Sequence, residues 1–209
     1  NMVLNGQSSY KIFVSANASG PEKHAAEELQ QYLFRITGCS LPIVQEANPQ
    51  EKYVYVGFGE APAPLLANIK PEALGNEEYI TRSDGQHLRI AGGQPRGTLY
   101  GVIGYLSDHL GCRWYTKEVV KVPERKTIPL PAKDDRQQPA FEYREAWYSE
   151  AYNTSWAMHN RLNPSMQPIP DSLGGSYISY PFVHTFYNMV SPEKYFTQHP
   201  EYFSEVNGK

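Results

Sequence analysis

The sequence predicts an α/β domain with a mixed sheet and two main helices on one face, followed by part of a second domain. Short apolar runs alternate with two stretches of helical periodicity, which is typical of an α/β fold. Residues 83–86 (Ser-Asp-Gly-Gln) separate two strand-like runs as a hairpin turn does, so part of the sheet is antiparallel. The 209 residues exceed one small domain but are too few for a domain plus a (β/α)8 barrel of about 250 residues.

A change of hydrophobic period marks the first strand and helix. Tyr10–Val14 alternates and is rich in β-branched residues, which predicts a strand. Ser19 and Glu22 then form a capping box, and Gly38 predicts the end of the helix. One stripe of this helix is apolar and should cover the sheet, whereas the opposite stripe is polar. The apolar residues are Ala25, Ala26, Leu29, Tyr32, Leu33 and Ile36, and the polar ones are Glu27, Glu28, Gln30, Gln31 and Arg35.

The remaining strands follow from apolar runs between turn residues. Residues 41–44 and 53–57 are short runs bounded by proline, asparagine and glycine, which predicts buried strands. Residues 78–82 and 87–91 flank the Asp-Gly turn and predict the hairpin. These four strands complete the expected mixed sheet.

The second helix is predicted from about residue 96 to residue 110 and contains Gly97, Gly101 and Gly104 on one stripe. Glycine inside a helix costs up to about 1 kcal/mol relative to alanine. Three such residues therefore predict close backbone packing against the sheet or another domain. The helix start also carries Arg96, which is expected to serve as a helix-start charge or as a partner for the linker.

Gly92-Gly93 lies between a strand and a helix and allows three interpretations. A helix N-terminus can bind phosphate, but the order G-G-Q-P-R-G differs from G-x-G-x-x-G, and no Lys-Ser or Lys-Thr follows. A structural tight turn is therefore favoured over nucleotide binding. Contact with a glycan or another domain is the remaining alternative.

Residues 133–140 are polar and predict a linker between a domain at 1–132 and a second domain at 141–209. The composition changes behind this segment. Of the 27 aromatic residues, 15 lie from residue 141 onward. Such a change supports a separate domain there.

Composition and spacing exclude several classes of partner and site. The net charge is -3 without a basic tract, which argues against nucleic acid and anionic membranes. No apolar run approaches a membrane span, and His159, His184 and His199 lack metal-ligand spacing, so no metal or cofactor is predicted. Cys39 and Cys112 form either a disulfide or, as favoured, two buried thiols.

Several motifs together resemble the N-terminal α/β domain of α-glucuronidases and β-hexosaminidases. They are A-A-E-E-L-Q-Q-Y-L, T-G-C-S-L-P-I-V, Y-V-Y-V-G-F-G, G-G-Q-P-R-G-T-L-Y-G-V and L-G-C-R-W-Y, in that order. The likeness spans roughly residues 10–130. In those families the domain precedes a catalytic barrel, and the resemblance implies the same arrangement here.

From residue 141 the chain resembles an uncharacterised family of secreted proteins from polysaccharide-degrading bacteria. The motifs are W-A-M-H-N-R-L-N, F-V-H-T-F and P-E-K-Y-F-T-Q-H-P-E-Y-F-S-E-V-N-G-K. The resemblance implies an incomplete (β/α) barrel segment: a first barrel strand at 141–146, a helix at 155–162 and an active-site-side loop at 174–187. It also implies a secreted or periplasmic protein.

Aromatic residues interleaved with polar ones in this region predict glycan recognition, because sugars present apolar faces and hydroxyls. The expected substrate-side residues are Trp147, Tyr148, Asn160, Arg161 and His184, since they follow a predicted strand end or lie in the predicted loop. For each of them taken alone, a structural role is favoured over substrate binding.

The catalytic residues stay unknown, and oligomeric state is not predicted. A glycosidase needs two carboxyl groups about 5 to 9.5 Å apart, and no acidic residue here has a context that predicts such a role. Asn1 is not a native start, and we expect most of the active site to lie beyond Lys209. Two hypotheses remain: the N-terminal portion of a secreted or periplasmic glycoside hydrolase, or a non-catalytic carbohydrate-binding or scaffold protein.

Overall fold

The structure is a computed structural model that describes residues 1–59, 65, 67–166, 169–177 and 184–208. The chain divides into two compact units, Asn1–Tyr177 and Ile178–Lys209. Each unit is described by itself.

The first unit is built on a six-stranded mixed sheet. Its strands are β1 (Tyr10–Val14), β2 (Ile43–Val44), β3 (Lys52–Val56), β4 (Tyr79–Ser83), β5 (Leu88–Gly92) and β8 (Lys133–Gln137), and a separate pair is β6 (Arg113–Trp114) and β7 (Val120–Lys121). The strand order of the sheet is β2-β1-β3-β5-β4-β8. Strands β2, β1, β3 and β5 are parallel, whereas β4 is antiparallel to both of its neighbours, which confirms the predicted mixed sheet.

Helix α1 (Gly20–Thr37) begins and ends where the sequence predicts. The Ser19 backbone N–H donates to Glu22 Oε2 at 2.9 Å, and the Ser19 side chain accepts from the Glu22 N–H, which completes the capping box. Gly38 has a φ of 78°, and its N–H donates to the Phe34 carbonyl at 2.7 Å. This left-handed residue closes the helix at little cost because it has no Cβ.

The polar face of α1 is only partly solvent-exposed. Glu28 is 8% exposed although it belongs to the predicted polar stripe. Its carboxylate Oε2 lies 2.8 Å from Nε2 of His159, on helix α3 (Thr154–His159). Residues after 140 therefore cover part of this face, and helical periodicity alone could not predict that.

Helix α2 (Gly97–Gly104) continues as a π-helical turn at Tyr105–His109 and packs with α1 on the same face of the sheet. The predicted role of its glycines is confirmed. A Cβ on Gly101 would lie 2.9 Å from Ile90 Cγ2, and a Cβ on Gly97 would lie 2.5 Å from the Glu78 carbonyl oxygen. Helix and sheet are thus closer than any larger residue at these positions would allow.

Strand β8 corrects the predicted linker. Residues 133–137 pair antiparallel with β4, from Tyr79 opposite Gln137 to Ser83 opposite Lys133. The guanidinium of Arg82 donates to both carboxylate oxygens of Asp134, at 2.9 and 2.8 Å. The segment has the polarity of a linker because it is an edge strand, where charged side chains discourage pairing with other chains.

The segment after β8 does not contain the expected first barrel strand. Residues 141–146 form a single bridge, Arg144 with Asn163, rather than a strand. Helix α3 overlaps the predicted helix at 155–162, but it begins one residue earlier and ends three residues earlier. Trp156 and Met158 are buried in the same core as α1 and α2, so this segment packs on the α/β domain.

The second unit contains the short helices α4 (Phe186–Met189) and α5 (Pro192–Tyr195). Helix α5 begins with a proline directly after Ser191. Within this unit the rings of His199 and Tyr202 stack with centroids 4.7 Å apart. Residues 178–183 lie outside the described residues. They belong to the predicted loop at 174–187, and the last two of them begin the F-V-H-T-F motif.

Candidate functional site

A cavity of about 270 Å³ lies where the α/β domain meets the segment that follows β8. Strand β4 contributes Tyr79, helix α2 contributes Tyr100, and the end of β8 contributes Gln137. The other wall is formed by Gln138, Pro139, Arg144 and residues 160–162. The site is therefore assembled from positions far apart in the sequence.

A buried carboxylate organises one side of this cavity. Glu77 accepts from Arg96 Nε at 2.9 Å and from both terminal nitrogens of Arg144, at 2.7 and 2.8 Å. Glu77 is 5% exposed and Arg96 6%. Removing one partner of such a buried pair typically costs about 3 to 5 kcal/mol, because a charge is left uncompensated. The cluster thus holds the segment containing Arg144 against the start of α2.

Arg144 uses its donors on the protein itself. Besides Glu77, its guanidinium donates to the carbonyls of Phe141 at 2.6 Å, Glu142 at 3.2 Å and Arg161 at 2.9 and 2.8 Å. These bonds fix the chain path on both sides of the Arg144–Asn163 bridge. Arg144 is consequently a structural clamp rather than a free ligand-binding cation.

Arg161 has a different environment. Its backbone φ is 54°, which is rare for a residue with a Cβ. Its Nη1 donates to the Tyr79 hydroxyl at 2.9 Å and lies 3.2 Å from Asp108 Oδ2. The side chain is 34% exposed and lines the cavity.

Two tyrosine hydroxyls complete the wall. Burial raises the pKa of Tyr79 above its ordinary value, and the Arg161 cation offsets only part of this rise. Burial also raises the pKa of Tyr100, whose hydroxyl donates to the Leu162 carbonyl. Both hydroxyls are therefore protonated at neutral pH and act as hydrogen-bond donors.

The structure brings two of the five predicted site residues to this cavity, Asn160 and Arg161. The Asn160 amide donates to the Trp156 carbonyl at 3.0 Å and the Trp114 carbonyl at 3.2 Å, so it also caps α3. The other three predicted residues lie elsewhere: Trp147 and Tyr148 are 62% and 48% exposed on the surface, and His184 belongs to the second unit.

Sequence reasoning missed Glu77, Tyr79, Tyr100 and Arg144. Glu77 directly precedes a predicted strand, and a charge at such a position signals a partner. The identity of that partner could not be deduced, because Arg144 is 67 positions away. The tyrosines were missed because they fit equally well as ordinary core residues.

The Gly92-Gly93 turn is structural, and the nucleotide interpretation is wrong. The Gly93 N–H donates to the Glu78 carbonyl at 2.9 Å, and a Cβ on Gly93 would lie 2.9 Å from the Leu74 carbonyl oxygen. The Gly92 N–H donates to the Thr98 hydroxyl oxygen at 3.0 Å. Both glycine N–H groups are therefore engaged within the chain and are not free to bind a phosphate.

The acidic groups of the described residues do not form a glycosidase acid pair. Burial tends to raise the pKa of Glu145, but hydrogen bonds from Tyr143, Met166 N and Ser165 lower it below its ordinary value. A general acid needs the opposite shift. Within the described ranges no group of three His, Cys, Asp or Glu residues could hold a metal ion.

The two cysteines are free thiols, which decides between the alternatives left open by the sequence. Cys39 is half-buried and Cys112 is buried. Burial raises the pKa of the Cys112 thiol to about 11. Such a thiol remains protonated and unreactive at neutral pH.

Comparison with known families finds one matching family for each of two parts of the chain. Residues 4–105 match the family described as glycosyl hydrolase family 67 N-terminus. Residues 114–209 match a domain of unknown function, DUF4838. The predicted glycosidase-like N-terminal domain is confirmed. A comparison with curated proteins finds no match.

One solved glycosidase structure shares the fold, and two others are more distant. A family GH115 4-O-methyl-α-glucuronidase with specificity for decorated arabinogalactans has a TM-score of 0.57 at 17% identity, over 76% of this chain and 25% of that one. A GH138 enzyme targeting pectin rhamnogalacturonan II has a TM-score of 0.46 at 14% identity, over 74% and 23%.

The GH20 β-N-acetylhexosaminidase from Streptomyces coelicolor A3(2) has a TM-score of 0.43 at 16% identity, over 66% of this chain and 24% of that one. The first likeness establishes a shared fold, and the other two are too distant to add to it. The chain spans about a quarter of the length of each of these proteins.

Proposed function

We propose that this chain is the N-terminal portion of a glycoside hydrolase acting on a polysaccharide or glycan, with the catalytic carboxylates contributed by a barrel domain beyond this chain. The observation that carries the proposal is the match of residues 4–105 to a glycosyl hydrolase N-terminal family. The fold shared with about a quarter of the length of a family GH115 4-O-methyl-α-glucuronidase supports it.

The α/β domain would support the catalytic domain rather than carry out chemistry. Its core is closed on one face by α1 and α2, and the Glu77 cluster fastens the following segment to it. That segment exposes Trp147 and Tyr148. We infer that these two aromatics, with Asn160, Arg161 and His184, lie on the substrate side of the complete protein.

The protein would act outside the cytoplasm, in a secreted or periplasmic location. Polysaccharide substrates are too large to enter cells intact, and the resemblance from residue 141 onward is to secreted proteins. No helix among the described residues combines the length and apolar character of a membrane span.

Release of reducing ends tests the hydrolase proposal. The full-length polypeptide that contains this chain would be incubated with a panel of neutral and acidic plant and host glycans, with 1–209 alone as the matched control. We expect reducing ends from at least one glycan with the full-length protein and none with 1–209. Absence of release across the panel by a folded full-length protein would contradict the proposal.

The exposed aromatics favour a second candidate function, non-catalytic glycan binding. Phe141 is 74% exposed and Trp147 62%, and flat exposed rings suit the apolar faces of sugars. Glycan binding without reducing-end release, lost in Trp147→Ala but kept in Phe34→Ala, would favour this function. Phe34 is a suitable control because it is 53% exposed on α1.

A further inference from the structure

The cavity beside Arg161 offers more hydrogen-bond donors than the protein uses. Among the described residues, Nε and Nη2 of Arg161 have no acceptor, because both hydrogen bonds of its guanidinium are donated by Nη1. The Tyr79 hydroxyl accepts from Arg161 and still has its own proton to donate. Free donors on two neighbouring side chains call for a ligand that supplies acceptors.

The charges around the cavity favour a negative ligand. Its lining holds two guanidinium groups, Arg144 and Arg161, and one carboxylate, Glu77. Outside the lining, Arg96 pairs with Glu77 and Asp108 pairs with Arg161, so the cluster keeps one positive charge in excess. Asp108 is 47% exposed and approaches only Nη1, so the remaining edge of the Arg161 fork is unoccupied by it. One net positive charge in a partly buried site is stabilised by an anion.

The backbone at Arg161 supports a functional reason for this residue. A left-handed conformation is strained for a residue with a Cβ, and glycine or asparagine would adopt it more readily. At this position, with a φ of 54°, the chain nevertheless has an arginine, and that arginine lines the cavity. Strain of this kind tends to occur at ligand sites.

The size of the cavity limits the ligand. Its volume of about 270 Å³ lies just below the ~300–1,000 Å³ typical of small-molecule sites. We propose that the cavity binds one small oxyanion-bearing group, a carboxylate or a phosphate, through the free edge of Arg161 and the Tyr79 hydroxyl. The proposal does not depend on hydrolase activity, because it requires no reaction.

Calorimetric titration of the whole chain tests the proposal with three probes. Glucuronate and glucose share a pyranose ring and differ in the carboxylate, and inorganic phosphate represents a free anion. Sodium chloride at matched ionic strength separates specific binding from general salt effects. We expect saturable binding of glucuronate, phosphate or both, and at least tenfold weaker binding of glucose.

The variant Arg161→Asn separates binding from folding. Asparagine suits a positive φ, so this variant should unfold at the same temperature as the wild type or a higher one. It lacks the guanidinium, so its affinity for the oxyanion should fall at least tenfold. Tyr79→Phe should weaken binding several-fold. Arg82→Gln removes a guanidinium outside the cavity lining and should leave the affinity unchanged.

The outcomes separate the two sources of the oxyanion. Binding of glucuronate alone identifies an acidic sugar, and binding of phosphate alone identifies a free anion; either supports the proposal. No saturable binding of either probe, or equal binding by Arg161→Asn, overturns it. Such a failure leaves the hydrolase proposal intact, because that proposal is tested by reducing-end release.

Discussion

At the scale of single residues, ion pairs attach the unexpected strand β8 to the sheet. Glu78, just before β4, is 7% exposed at its side chain and pairs with Arg136 of β8. The Arg136 guanidinium holds the pKa of Glu78 below its ordinary value, against the opposing effect of burial, and the Gly75 N–H contributes. The folded state therefore binds the Glu78 proton less tightly than the unfolded chain does.

This depressed pKa predicts a pH-dependent cost for Glu78→Gln. The stabilisation by the Glu78 carboxylate is complete above its unfolded pKa of about 4.3 and is lost as the pH falls through the lower folded value. We expect a loss of about 1 kcal/mol of unfolding free energy at pH 7, given that Arg136 is largely exposed. The difference from wild type should shrink toward pH 3, measured by urea denaturation.

Asp134→Asn is the matched control for this prediction. It removes an ion pair on the same strand in which the carboxylate is 62% exposed. We expect it to cost less than Glu78→Gln at pH 7, since exposed pairs contribute little. A cost of Glu78→Gln that grows in acid would show that another interaction dominates.

Residue chemistry was predictable where partners are close in sequence. The Ser19–Glu22 capping box follows from local spacing and is present as predicted. The contact of Glu28 with His159 joins residues 131 positions apart, and helical periodicity, which placed Glu28 on the polar stripe, gave no sign of its burial. The cavity was likewise only half predictable, since Arg161 was expected there and Glu77 was not.

At the scale of elements, the glycines of α2 set the distance between helix and sheet. A Cβ on Gly104 would lie 2.9 Å from Tyr79 Cζ and 3.1 Å from Arg161 Nη1. The same glycine therefore leaves room for both side chains that carry the free donors of the cavity. Helix packing and the candidate site depend on one missing side chain.

We predict that Gly104→Ala destabilises the protein although alanine is the better helix former. Overpacking typically costs about 1 to 3 kcal/mol, against a gain of up to about 1 kcal/mol in helix propensity. The expected net loss is about 1 to 2 kcal/mol in urea denaturation. In the double variant with Tyr79→Phe, the combined loss should be smaller than the sum of the single losses, because the alanine no longer meets a hydroxyl.

Additive losses in the double variant would contradict this explanation of the Gly104 packing.

The elements themselves were largely predictable: β1, α1 and the β4–β5 hairpin lie within a residue or two of their predicted positions. Strand β8 was missed because edge strands and linkers share a charged composition. Pairing with β4, rather than local propensity, makes this segment a strand.

At the scale of the whole molecule, the two family regions share one sheet and one core. Strand β8 lies in the region that matches DUF4838, yet it completes the sheet of the glycosyl hydrolase family 67 N-terminal region. Trp156 and Met158 are buried in the same core as Leu29 and Leu99. The sequence places a boundary at 132–141 because composition changes there, whereas packing continues across it.

Because the packing is shared, we predict that a chain of residues 1–177 folds stably and that a chain of residues 1–140 is less stable. The shorter chain loses buried Trp156 and Met158, each contributing roughly 1.5 to 3 kcal/mol. It also loses Arg144, which leaves Glu77 with Arg96 alone. At about 3 °C per kcal/mol for a domain of this size, thermal unfolding of 1–140 should occur at least about 10 °C below that of 1–177.

The variant Glu77→Gln distinguishes the ionic from the apolar part of this loss. In 1–177 it should lower the unfolding temperature by less than the truncation does, because the buried aromatic and methionine side chains remain in place. In 1–140 it should cost less than in 1–177, since one of the two guanidinium partners is already gone. Equal unfolding temperatures for 1–140 and 1–177 would instead place the end of the first folding unit at the compositional boundary.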